Sequence, residues 1–194
     1  MDQVKIFYDL ETTGVDFRKH SIHQLSGLVE VNGRVVEEFD IRMAPHPLAK
    51  IEPEALAASG VTEQQILAYM PMQKAHLRFT NLLAKYINRY DKLDKAWLVG
   101  FNNRGFDDAF LRKLFELCGN NYFGSYFWSD SLDVMVLASQ YLIERRRSMP
   151  SFKLKRVAEE VGIVVDESRL LDASYDVYLT REIYNIVTGL EIEI

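Results

Sequence analysis

Three separate segments of this chain place carboxylates where an unpaired acid is expensive. The first is Phe7-Tyr8-Asp9-Leu10-Glu11-Thr12-Thr13-Gly14. In an extended strand, residues two apart share a face, so Asp9 and Glu11 point the same way. They follow an apolar run that reads as buried. Two acids side by side there repel and lose hydration, a cost of several kcal/mol unless protons or a cation neutralise them. Hard divalent cations such as Mg²⁺ or Mn²⁺ are the natural partners of clustered carboxylate oxygens. A solvated pair of acids at a strand end is the plain alternative.

The second segment is Asn102-Asn103-Arg104-Gly105-Phe106-Asp107-Asp108-Ala109-Phe110-Leu111, where an apolar strand runs into a polar loop and a helix opens at an acid. Asp107 or Asp108 can serve simply as a carboxylate at a helix N-terminus, favoured by the dipole. The third is Asp176. Counted helically, Ala173, Asp176, Thr180, Ile183 and Val187 form one largely apolar stripe, and an acid on a packed stripe needs a partner. Asp172, one turn earlier, can instead be the solvent-facing member of that pair. A shared metal site accounts for all three segments at once.

The elements that must position these acids follow from periodicity and turn residues. Residues 4–10 read as a buried strand ended by Thr12-Thr13-Gly14. Residues 22–31 and 35–43 read as two strands joined at Asn32-Gly33, a hairpin signal. Short helical pieces follow over 53–70, then a helix over 73–90, a strand over 97–101 and helices over 107–118, 131–143, 154–162 and 174–190. Three antiparallel strands followed by alternating strands and helices predict an α/β fold, a mixed sheet with helices on its faces.

The chain of 194 residues suits one domain spanning 1–194. Its 48% hydrophobic and 26% charged residues are those of a globular protein and exclude wholesale disorder. One cysteine, Cys118, excludes an internal disulfide framework and a Cys-rich zinc site. No apolar run approaches the ~18 residues of a membrane span, and no secretory leader is legible, so no membrane partner and a cytoplasmic location are expected. Net charge is −5, which opposes tight non-specific binding to nucleic acid through bulk charge. The stretch 144–156 departs from this balance, setting Arg145, Arg146, Arg147, Lys153, Lys155 and Arg156 against Glu144 alone.

The three acidic segments, taken in order, resemble the exonuclease motifs of the DnaQ-like (DEDD) superfamily, in its exonuclease I, proofreading and RNase T-like branch. Ile51-Glu52-Pro53-Glu54-Ala55 with Ser59-Gly60-Val61-Thr62, and Ser129-Asp130-Ser131-Leu132, also fit, so the resemblance covers roughly residues 4–188. It implies an RNase H-like fold, a mixed β-sheet flanked by α-helices, and removal of nucleotides from the 3′ end of single-stranded DNA or RNA, as in DNA repair. It implies two Mg²⁺ or Mn²⁺ ions per site. Asp9, Glu11 and Asp176 would hold one; Asp9 is shared with the second, which Asp107 supports partly through water. One ion would activate water and the other stabilise the leaving 3′ oxygen. Thr12, Asn102, Phe106, Arg145, Arg146, Arg147 and Lys153 become candidate contacts to the strand. Phe101 or the aromatics of 122–128 become candidates for stacking on a base. A polymerase or another protein as partner is left open.

The resemblance fails at one catalytic position. The branch it most resembles has a general-base histidine five residues before the last aspartate, where this chain has Leu171; the sister branch has a tyrosine at the position of Asp172. All four histidines, His20, His23, His46 and His76, lie in the first half of the chain. Losing a general base costs on the order of 10²–10⁴ in rate and leaves the rest of catalysis standing. The expectation is a slow metal-dependent exonuclease with an altered base, Asp172 being the candidate. The alternative is a silenced exonuclease domain that binds nucleic acid or a protein.

Overall fold

The computed structural model describes residues 2–169 and 173–189. β1 (Val4–Thr12), β2 (Ile22–Val31) and β3 (Arg34–Arg42) form an antiparallel meander. β4 (Trp97–Gly100) and β5 (Leu132–Asp133) extend it in parallel, giving the order β3-β2-β1-β4-β5. The hairpin turns at Asn32 and Gly33, both left-handed with φ of 52° and 83°, as a tight two-residue loop requires. The helices are α1 (Pro53–Ala58), α2 (Glu63–Leu67), α3 (Met72–Leu83), α4 (Asp107–Leu117), α5 (Phe123–Tyr126), α6 (Val134–Tyr141), α7 (Leu154–Glu160) and α8 (Ala173–Thr188).

Several elements differ from expectation for identifiable reasons. β1 runs on to Thr12, so Asp9 and Glu11 lie inside the strand. The helix expected over 73–90 ends at Leu83. Tyr86 and Ile87 do pack on the core, but from turns in which the Asn88 N–H donates to Asp94 Oδ2 at 2.8 Å. Their apolar spacing recorded burial, not helix. The segment 131–143 starts as β5, and Asp133 then caps α6 by accepting from the Met135 N–H at 3.0 Å. α5 was not expected at all.

The pleat of β1 sorts its residues between two cores. Val4, Ile6, Tyr8 and Leu10 join α3 and α4 on one face, while Phe7 joins α6, α7 and α8 on the other. Continuing the alternation, Asp9 and Glu11 point to the α8 side. A buried ionic group docks α8 there. Glu30 Oε1 lies 3.0 Å from Lys5 Nζ and Glu30 Oε2 lies 2.7 Å from Arg181 Nε, and Tyr184 meets Phe7 edge-on at 5.4 Å. Asp176, on the first turns of the same helix, is thereby carried toward the end of β1. Among the described residues, no helix is long and apolar enough to cross a membrane.

Candidate active site

β1, α4 and α8 bring their acids to act on one another. Asp9 has its pKa raised well above the usual carboxylate range, first by burial and then by the negative charges of Asp107, Asp176 and Glu11. Asp107, 6% exposed at the first position of α4, is pushed up to about 7. Burial is the main cause; backbone hydrogen bonds at Asp107 and Leu10 offset part of it, while Asp108 and Asp133 add to it. Asp176 is half-buried.

This focus of negative charge suits a hard divalent cation: the donors are all carboxylate oxygens, and two of the acids are costly to ionise without positive charge beside them. Among the described residues, no three His, Cys, Asp or Glu side chains are grouped closely enough to hold a metal ion between them. Glu11 Oε2 instead accepts from Ser59 Oγ, just past α1. The site is thus a set of mutually acting acids rather than a closed ligand cage.

The residues that hold this frame were mostly not foreseen. Asp108 accepts from Tyr8 Oη at 2.5 Å, Ser131 Oγ at 2.5 Å and Asn103 Nδ2 at 3.2 Å, so the two adjacent acids of α4 divide their work. Asp133 Oδ1 accepts from the N–H of Asn102, a left-handed residue with φ of 64°. Tyr8 carried the one readable signal, a hydroxyl inside an apolar run.

The other expected residues divide. Thr12 is buried and donates to the Gly14 carbonyl at 2.9 Å, and Phe106 packs on Phe110 at 4.9 Å, so both turn inward. Asn102 is exposed, as are Arg145, Arg146, Arg147 and Lys153. Lys155 and Arg156, counted in the same basic run, are engaged by Glu167, Glu159 and Glu160. Among the aromatics, Phe123, Tyr126 and Phe127 belong to the core, Phe101 packs against the core on the α8 face, and Tyr122 is exposed.

Three of the four histidines, His20, His23 and His76, are buried. His20 fits against Gly14 and its Nδ1 accepts from the Asp16 N–H at 3.0 Å; its Nε2 lies 3.0 Å from Glu52 Oε1, at an angle that makes no hydrogen bond. His23 is fully buried, its pKa pushed down to about 4 by burial and by Arg42. His76 stands edge-on to Phe115 at 4.6 Å. None of the four hydrogen-bonds to Asp9, Glu11, Asp107 or Asp176 among the described residues. Leu171 and Asp172 lie outside those residues.

The architecture is that of a DnaQ-like exonuclease. The fold matches Escherichia coli exonuclease I bound to single-stranded DNA in its zinc form, with a TM-score of 0.77 at 21% identity over 100% of this chain and 42% of that one. The complex of the same enzyme with a dT13 oligonucleotide gives 0.76 at 22% identity, over 96% and 41% of the two chains. The exonuclease family model RNase_T matches residues 6–184, and the chain belongs to that family. Among curated relatives, the PolC-type DNA polymerase III of Mycoplasmopsis pulmonis (strain UAB CTIP) is 24% identical over 95% of this chain. Exodeoxyribonuclease I of Escherichia coli (strain K12) is 28% identical over 70% of it. The chain spans only 11% of the polymerase and 29% of exodeoxyribonuclease I.

Proposed function

We propose that this chain, read as one domain over residues 1–194, is a metal-dependent 3′–5′ exonuclease acting on single-stranded nucleic acid. The reading is carried by Asp9, whose buried carboxyl feels the negative charges of Asp107 on α4, Asp176 on α8 and Glu11 on its own strand. Family membership supports nuclease chemistry, and the name exodeoxyribonuclease I favours DNA as the first substrate to try. Asp9, Glu11, Asp107 and Asp176 would hold Mg²⁺ or Mn²⁺. When bound, such cations supply the charge that activates a water and stabilises the leaving 3′ oxygen.

The chain's own residues do the rest. The stiff end of β1 presents Asp9 and Glu11 on one face, and Ser59 orients Glu11. The exposed Arg145, Arg146, Arg147 and Lys153 grip phosphates upstream of the terminal nucleotide. Because Leu171 cannot accept a proton, the attacking water loses its proton to solvent or to Asp172, and turnover is slow.

Leu171 also sustains the second reading, a silenced domain that binds without cutting. A time course on 5′-labelled single-stranded DNA and RNA, with Mg²⁺ or Mn²⁺, separates the two. Slow shortening by the wild type that quickens in Leu171→His supports the enzyme. Cutting only in Leu171→His supports the silenced domain, and no cutting by either variant counts against both metal placement and catalysis.

A further inference from the structure

We propose that Asp108 is a positioning residue whose hydrogen bonds to Tyr8 and Ser131 set the approach of Asp107 to Asp9. The inference rests on the exonuclease reading above, in which Asp9 and Asp107 hold metal.

Asp108 is a carboxylate with both oxygens committed to neutral donors. Oδ1 accepts from Tyr8 Oη and Asn103 Nδ2, and Oδ2 accepts from Ser131 Oγ. The donors come from β1, from the loop after β4 and from the residue preceding β5, so one side chain ties three parts of the sheet to the first turn of α4. The loop reaches it because position 100 is glycine: a Cβ there would stand 2.7 Å from Asn103 Cβ.

Neighbours in sequence make this more than an anchor. Tyr8 immediately precedes Asp9, and Asp108 immediately follows Asp107. β1 and α4 are therefore tied by the Tyr8–Asp108 hydrogen bond, with two mutually repelling acids next to it in sequence. The Tyr8–Asp108 bond lies on the α4 side of the sheet and holds the elements together. Asp9 and Asp107, one residue along each element, are acids that repel. Apolar packing of Phe110 and Leu111 would keep α4 on the sheet, but it has no direction. Charge-assisted hydrogen bonds to a fixed hydroxyl are directional, and that is what a spacing of two like charges needs. Among the described residues, Asp108 bonds none of the acids that would hold metal and acts through the backbone it shares with Asp107. Groups that bond a ligand directly typically matter ~10–100-fold in affinity, so an effect near the lower end of that range is expected here.

The test uses the full chain and Mn²⁺ as the probe, followed by calorimetry, alongside kcat, KM and melting in chelator. Tyr8→Phe and Ser131→Ala are expected to weaken Mn²⁺ binding by about tenfold. The value of kcat falls by a similar factor, KM for a single-stranded oligonucleotide stays unchanged, and melting stays close to the wild type. Ser131→Thr, which restores the hydroxyl, recovers Mn²⁺ binding. Unchanged Mn²⁺ affinity in Tyr8→Phe and Ser131→Ala, with the wild type binding Mn²⁺, overturns the positioning role alone. A loss of affinity that tracks a matching loss of melting temperature and is not recovered by Ser131→Thr also overturns it. A wild type that takes no Mn²⁺ overturns the exonuclease reading and the positioning role with it.

Discussion

Of the charges acting on Asp9, that of Asp107 at the start of α4 is the largest. The two residues come from elements almost a hundred positions apart, and both are held with raised pKa, Asp107 at about 7. Such a pair costs the metal-free fold stability, and a bound cation would relieve that cost, which is the basis of the metal proposal.

The pair makes metal-free stability depend on pH in a definite direction. A carboxyl whose folded pKa is raised holds a proton that the unfolded chain has released, so stability falls as pH rises from the unfolded value toward the folded one. For Asp107 that window runs from 3.8 to about 7. Melting in chelator should therefore be lower at about pH 8 than at about pH 5, with a smaller difference in Asp107→Asn. Added Mn²⁺ should raise the melting temperature more at the higher pH. A melting temperature that does not change with pH would contradict the pair's electrostatics.

Glu30 holds α8 in register with the sheet. Removing it leaves Lys5 buried without its counter-charge and leaves Arg181, whose helix carries Asp176, with only Glu182 and the Gly33 carbonyl as partners among the described residues. Glu30→Ala should cost about 3–5 kcal/mol in urea denaturation, the range for breaking a buried ion pair from one side. A loss below about 1 kcal/mol, the level of surface pairs, would show that packing alone docks α8.

Arg145, Arg146 and Arg147 are exposed, and their contribution to strand binding has a salt signature. Each phosphate contact on a single strand adds about 0.7 to the slope of log affinity against log salt. Replacing all three with alanine should reduce that slope by about 2, measured by anisotropy of a labelled oligonucleotide, with kcat retained. An unchanged slope would place the strand elsewhere.

The missing base predicts a pH profile. Without a histidine at position 171, activity should climb with pH from about 7 to about 9.5, and Mn²⁺ should outperform Mg²⁺. Leu171→His should raise kcat, up to the ~10²–10⁴ of a positioned base, and level the profile above the histidine pKa. A flat wild-type profile would mean that another group already does this work.

Parts of this were legible in the sequence for simple reasons. A strand repeats every two residues, so the sequence alone puts Asp9 and Glu11 on one face, and Asn32-Gly33 specifies its turn. Asp107 and Asp108 were not separable, because both sit in the first turn of α4 and both suit a helix N-terminus; only Tyr8 and Ser131, distant in sequence, tell them apart. The Glu30–Arg181 contact spans 151 positions and leaves no local pattern. The early end of α3 is hidden because Ile87 is buried and Tyr86 half-buried against the core without being helical.

Incubation of wild type and Asp9→Asn with 5′-labelled single-stranded DNA, in Mn²⁺ and in chelator, tests most directly whether this chain cuts from the 3′ end with a cation held by these acids. A ladder that shortens from the 3′ end with wild type and Mn²⁺ only, and is absent in Asp9→Asn, is the predicted result. Shortening that persists in chelator or in Asp9→Asn, or no shortening by the wild type, would contradict it.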